Sequence, residues 1–308
     1  MIARHDHSHG ESAGTGGPLA LALAITLLLM AVEAVGGWLT GSLALLADAG
    51  HLLADVGSLG VSFIAGWLAA RPVTARMSYG YRRAEILAAA TNGIALWAVA
   101  GAILFEAVHR LRVAHPVAAP GMLVVALIGL AGNLASSAVL APSREANLNI
   151  RAAFLHVLTD AAAAVGTIAA SFVILATGWT RADAVVSLGI AALILSASWP
   201  LVREAVQILM EGTPGHLSLT DVEAAMRSVP GVVSVHDLHI WSLTSGVNAV
   251  SGHVVVADAR ESQRVLEELC AMLTERYGLG HATLQLETGE FTDPQHPSCA
   301  PGSEPVSR

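Results

Sequence analysis

The chain has 308 residues, of which 54% are hydrophobic and 13% charged, and its mean hydropathy is +0.61. All 16 basic residues are arginine, against 24 acids, for a formal net charge of -8. This balance excludes an ordinary soluble composition, offers no basic domain for nucleic acid, and predicts an integral membrane protein with a smaller soluble part. Two cysteines, Cys270 and Cys299, supply no disulfide framework and suit a reducing cytosolic face.

Residues 1–17 are polar and glycine-rich and read as a disordered leader. Within it His5, His7 and His9 alternate in His-Asp-His-Ser-His, a tract that can also collect metal loosely. The leader runs straight into a full-length apolar segment and does not fit a signal peptide. Six apolar segments follow, at 18–39, 42–70, 84–111, 117–140, 152–177 and 182–202, each near or above the roughly 20 residues that a spanning helix needs. Six spans leave both termini on one side. The connections after the second and fourth carry Arg71, Arg76, Arg82, Arg83, Arg144 and Arg151, whereas the opposite loops offer Arg110, Arg112 and Arg181. The excess of arginine predicts that both termini are cytoplasmic.

Two of these spans contain ionisable groups that lipid strongly disfavours. Asp48, His51 and Asp55 stand at i, i+3 and i+7, so a helix lines them along one stripe. His156 and Asp160 repeat the His-x-x-x-Asp pairing at the head of the fifth span. Ionisable residues at membrane depth usually mark an ion or proton path. Two such helices facing each other supply two imidazole nitrogens and two carboxylate oxygens, a tetrahedral set for a divalent ion such as zinc; the alternative is a pair of satisfied structural ion pairs. Glu33, Glu85, Glu106 and Asn133 read as hydrogen-bonding partners for neighbouring helices, and Asp183 as a membrane-surface residue. Gly36, Gly37, Gly129 and Gly132 read as close helix packing.

From about Glu204 the composition becomes that of a small soluble domain, 204–290, followed by a flexible tail at 291–308. A helix is expected over 218–229, capped by Ser218 or Thr220 and stopped by Pro230-Gly231. Strands over 232–243 and 248–257, a helix over 261–277 and a last strand over 282–288 complete a compact α+β layer. His236, His239, His253 and His281 cluster here. His236 and His239 differ in strand parity and cannot share a face unless the strand bends. On the last strand His281, Thr283, Gln285 and Glu287 alternate onto one face. A zinc site from His236, His253 and Glu287 across neighbouring strands is chemically reasonable, and structural histidines at a dimer surface remain the alternative.

The six spans, the paired His-x-x-x-Asp and the stretch Val235-His-Asp-Leu-His-Ile-Trp-Ser-Leu-Thr-Ser-Gly246 together resemble the cation diffusion facilitator family, in particular its zinc-exporting branch. Gly41-Ser-Leu-Ala-Leu-Leu-Ala-Asp48, Tyr79-Gly-Tyr-Arg-Arg-Ala-Glu85 and Thr283-Leu-Gln-Leu-Glu287 add to the resemblance, which covers roughly residues 18 to 290. It implies six transmembrane helices with a ferredoxin-like, metallochaperone-like cytoplasmic domain, and a homodimer in the lipid of a bacterial inner membrane. It also implies exchange of cytoplasmic divalent metal for protons by alternating access, with Zn2+ as the expected ion and Cd2+, Co2+ or Fe2+ as further candidates. His51, Asp55, His156 and Asp160 match the family's transport-site positions, and histidine at position 51 resembles the members that select zinc and cadmium over manganese. His236, His253 and Glu287 match positions that bind regulatory zinc, while Gln285 stands where some members have another histidine. Asp48, His239, His281 and the histidines of the leader are accessory candidates. The connection from Arg71 to Arg82 contains no Asp, Glu, His or Cys, so a metal site that some members place there is expected to be missing.

Two other classes use similar residues. An intramembrane metalloenzyme would need a water-activating base and an open coordination position, and no His-Glu-x-x-His or Ser/His constellation is visible. A membrane metal sensor would use the soluble domain alone.

Overall fold

The structure is a computed structural model that describes residues 16–143 and 148–288. His5, His7, His9, Arg144, Cys299 and the tail at 291–308 lie outside the described residues. Six helices cover the six apolar segments: α1 (Gly16–Thr40), α2 (Leu43–Ala69), α3 (Ala84–Arg112), α4 (Ala119–Leu140), α5 (Leu148–Thr177) and α6 (Arg181–Leu209). All six are long and apolar enough to cross a membrane. The tight reversals from α1 to α2 and from α5 to α6 fall on Gly41 and Gly178, whose φ angles of 71° and 70° suit a residue without a Cβ. The sixth helix runs past the expected end at 202. Although polar residues enter at Glu204, Ala205 and Ile208 stay buried against Ile86, so one apolar stripe persists to the end of the helix.

The chain divides into two compact units, one formed by the residues up to Gly60 with Asn92–Trp199, the other by Val61–Thr91 with the residues from Pro200 onward. In the first, α4 packs against both α1 and α5. The glycines make that approach possible. A Cβ on Gly36 would stand 2.6 Å from Val125 Cγ2, one on Gly132 2.7 Å from Leu29 Cδ1, and one on Gly129 2.6 Å from Glu33 Oε1. Gly37 likewise sits against Leu46. Small residues bring membrane helices close because lipid itself supplies no hydrophobic drive between them.

In the second unit, α7 (Leu219–Arg227), β1 (Val232–Thr244), β2 (Val247–Val256), α8 (Ser262–Tyr277) and β3 (His281–Glu287) follow the expected order. Ser218 is the cap of α7, its side chain accepting from Asp221 N. β1 and β2 form an antiparallel hairpin turned at Ser245-Gly246, and β3 lies parallel to β2 after the α8 crossover, giving the sheet order β1-β2-β3. Val222 and Met226 of α7 and Val265, Leu269 and Leu273 of α8 are buried against Val235, Ile240, Val250 and Val254. Ala282, Leu284 and Leu286 pack on the same core. The alternation leaves His236, His253 and Glu287 on the opposite face.

Candidate metal centres

The first centre depends on how α2 is held. Ser42 opens that helix: its Oγ accepts from Leu45 N at 3.3 Å and donates to Asp183 Oδ1 at 2.7 Å. Leu43 N and Ala44 N then donate to Asp183 at 2.7 and 3.2 Å. Asp183 therefore caps α2 from the first turn of α6, filling donors that the helix itself leaves open. The residue is 1% exposed and acts as a buried cap for a neighbouring helix, a role that the sequence did not reveal. Arg110 stands 3.8 Å from its carboxylate, donates to Glu106 at 2.8 Å, and also donates to the Gly41 carbonyl. Glu106 thus bonds within its own helix. Glu85 accepts from Thr244 of β1 at 2.9 Å, so its partner is a strand and not a neighbouring helix.

In the first halves of α2 and α5, the paired His-x-x-x-Asp groups meet. Asp55 Oδ2 lies 3.4 Å from His51 Nε2 and 3.0 Å from His156 Nε2. Asp160 reaches the same nitrogens at 3.7 and 3.8 Å. One ligand atom each from His51, His156 and Asp160 falls within a 4.8 Å cluster, and the imidazoles meet edge to face at 5.6 Å. Asp160 is 4% exposed, while Asp55, His51 and especially His156 remain accessible. A partly open set of nitrogen and oxygen donors can take up a divalent ion and let it go. Asp48 shares the stripe but not the cluster, and it is buried.

The second centre draws one group from each strand. His236 on β1 pairs with His253 on β2, which pairs with Gln285 on β3, and Glu287 follows two residues on. His253 Nδ1 lies 2.7 Å from Glu287 Oε1, and His236 Nε2 lies 3.5 Å from Glu287 Oε2. The short His253 contact lacks the angle of a hydrogen bond. Both ring nitrogens of His236, His253 Nδ1 and Glu287 Oε2 are buried without a hydrogen-bond partner. Such groups are unfavourable unless something else satisfies them, and a donor set of two imidazoles and a carboxylate fits zinc. Gln285 donates to Glu287 Oε1 at 2.8 Å, so it orients the carboxylate where a ligand was in question.

Asp237 has a φ of 48° and marks a bulge, with two residues, Asp237 and Leu238, between His236 and His239 set against one, Gly252, between Ser251 and His253. The extra residue resets the parity, so His239 shares the face of His236 after all. His239 nonetheless stands apart, 3.1 Å from Asp237 Oδ1, and His281 meets the Tyr79 ring at 5.5 Å. Neither joins a metal-ligating cluster among the described residues.

Six membrane-crossing helices with a His/Asp cluster between two of them, followed by an α+β domain with a second cluster, define a polytopic membrane protein equipped for divalent cations. The chain matches the cation efflux transmembrane domain over residues 19–210 and the cation efflux protein cytoplasmic domain over residues 214–289, and it belongs to the cation efflux, or cation diffusion facilitator, family. It is 40% identical to the cadmium, cobalt and zinc/H(+)-K(+) antiporter of Bacillus velezensis over 92% of each chain. It is 38% identical to the zinc transporter ZitB of Escherichia coli, again over 92% of each. The metal-bound C-terminal domain of the CzcD transporter from Cuprividus metallidurans is 42% identical over 23% of this chain and 99% of that one, with a TM-score of 0.22.

Proposed function

We propose that this chain exports zinc from the cytoplasm in exchange for protons, by alternating access, with His51, Asp55, His156 and Asp160 as the transport site. The observation that carries the reading is the cluster of donors within the apolar lengths of α2 and α5, with Asp55 Oδ2 within 3.4 Å of both imidazoles. A charged cluster at that depth has no evident structural purpose that apolar residues would not serve better, so it favours ion passage. The relatives' names, zinc transporter and cadmium, cobalt and zinc antiporter, agree with the softness of a mixed imidazole and carboxylate set.

Proton exchange follows from linkage. Zinc takes neutral imidazole and ionised carboxylate, so loading displaces any proton held there. Imidazole titrates near physiological pH, and a more acidic outer side reprotonates His51 or His156 and helps to expel the ion. The arginine excess on the connections after the second and fourth spans supports an orientation with both termini cytoplasmic, in the bacterial inner membrane. The working unit is a homodimer, supported by the match to the cytoplasmic domain of the family. His236, His253 and Glu287 would hold a regulatory zinc, which supplies positive charge between strands that carry little of their own.

Zinc uptake into inverted vesicles tests this. Uptake should rise when the vesicle interior is made acidic and fall when a protonophore collapses the gradient. Uptake indifferent to the gradient would remove proton exchange, and no zinc uptake at all would remove the transport reading.

A further inference from the structure

The connection between α2 and α3 holds Arg71, Arg76, Arg82 and Arg83 and no acid before Glu85. Arg71 lies over the Trp67 ring at 4.0 Å, and Arg83 pairs with Glu211 at 3.0 Å. Arg76 and Arg82 are exposed and have no carboxylate in ion-pair range among the described residues. Both line a cavity of about 780 Å³, together with Tyr79, Leu87, His239 and Trp241. The last turns of α2 expose Phe63 at 79% and Trp67 at 58%, and Leu87 at the start of α3 is 55% exposed. Cationic and aromatic groups thus follow in sequence on exposed apolar residues at the end of a helix long and apolar enough to cross a membrane.

We propose that this cavity binds the phosphate-bearing headgroup of an anionic phospholipid. Arginine offers a planar fork of donors that matches phosphate oxygens, and here two guanidinium groups are left without a protein anion. Basic pockets at helix ends and juxtamembrane arginines attract anionic headgroups, while tyrosine and tryptophan settle at headgroup level. Free inorganic phosphate shares the first of these interactions but gains nothing from Leu87, Trp241 or the exposed face of α2. The apolar surroundings therefore favour the lipid. The inference stands apart from the transport reading, since none of these residues belongs to either metal centre.

Native mass spectrometry of the full-length protein from mild detergent tests it, with phosphatidylglycerol and phosphatidylcholine offered in equal amounts. Wild type should retain phosphatidylglycerol preferentially. The Arg76→Gln, Arg82→Gln double variant should lose that preference roughly tenfold or more. An Arg260→Gln, Arg276→Gln control, with the same charge change elsewhere, should keep it. Millimolar inorganic phosphate should leave the lipid in place. Equal retention by wild type and the double variant, or no preference for phosphatidylglycerol, overturns the proposal; complete displacement by phosphate reassigns the cavity to the free anion and overturns the lipid. If the double variant does not fold, the single variants decide, a severalfold loss in each supporting the site and no loss in either overturning it.

Discussion

His156 Nε2 lies 3.0 Å from Asp55 Oδ2, a contact between residues 101 positions apart that ties α5 to α2 at membrane depth. Asp55 faces both imidazoles at 3.4 and 3.0 Å, and Asp160 reaches both at longer range, so each carboxylate joins the two His-x-x-x-Asp pairs. Asp55→Ala removes a charge from each pairing at once. Zinc flux in proteoliposomes should fall by at least about a hundredfold, the scale lost when metal sites are disturbed, while the purified protein keeps its oligomeric state. Asp160→Ala should behave alike. Wild-type flux in either variant would dissolve the four-ligand site.

Selectivity gives a second expectation. His51 Nε2 supplies one of the softer donors, and replacing it with a carboxylate leaves three oxygens and one nitrogen. His51→Asp should shift the zinc to manganese transport ratio toward manganese by roughly tenfold, because harder donor sets suit manganese. Competition assays read this ratio directly. An unchanged ratio would mean that selectivity is set elsewhere than at position 51.

The cap on α2 leads to a third. Asp183 accepts from Ser42 Oγ, Leu43 N and Ala44 N while fully buried beside Arg110. Asp183→Ala leaves those three donors without an acceptor, while Arg110 keeps Glu106 and the Gly41 carbonyl, and should destabilise the protein by about 2–3 kcal/mol. Ser42→Ala, which removes one cap hydroxyl, should lose about 1 kcal/mol. Thermal unfolding in detergent should rank the two variants in that order. Equal melting temperatures in wild type and Asp183→Ala would deny the cap its part in placing His51 and Asp55.

The spans and the His/Asp stripes were legible because hydropathy and helical period are properties of contiguous residues. His236, His253 and Glu287 were legible as a set because strand alternation places them on the face opposite Ala282, Leu284 and Leu286. The capping role of Asp183 was not legible because its partners lie about 140 positions away, where no local pattern reaches. The bulge at Asp237 escaped for a related reason. A positive φ at a residue other than glycine reflects the pairing of β1 with β2, and the local sequence carries no glycine to announce it. The end of α6 was placed early because composition changed at Glu204, whereas the helix follows its buried stripe through Ala205 and Ile208.

The soluble domain yields the last prediction. Its acids include Asp221, Asp237, Asp258, Glu267 and Glu287, and several of its arginines are already engaged: Arg227 with Glu223, and Arg264 with Glu261 and Glu268. Two such domains in a dimer carry like charge and should stand apart when metal is scarce. His236, His253 and Glu287 present buried atoms without partners, so a zinc ion held there adds two positive charges where the sheet has none to spare. That favours a closer approach of the two domains, and α6, which runs on to Leu209 immediately before the domain, is the covalent link through which the change would reach the membrane helices. Distances between spin labels on the two domains should shorten as zinc is titrated into wild type, and should not change in a His236→Ala, His253→Ala double variant. Gln285→Ala should require several times more zinc for the same shortening, because Glu287 loses the amide that orients it. Identical distances with and without zinc in wild type would leave the domain as a dimerisation platform with no switch in it.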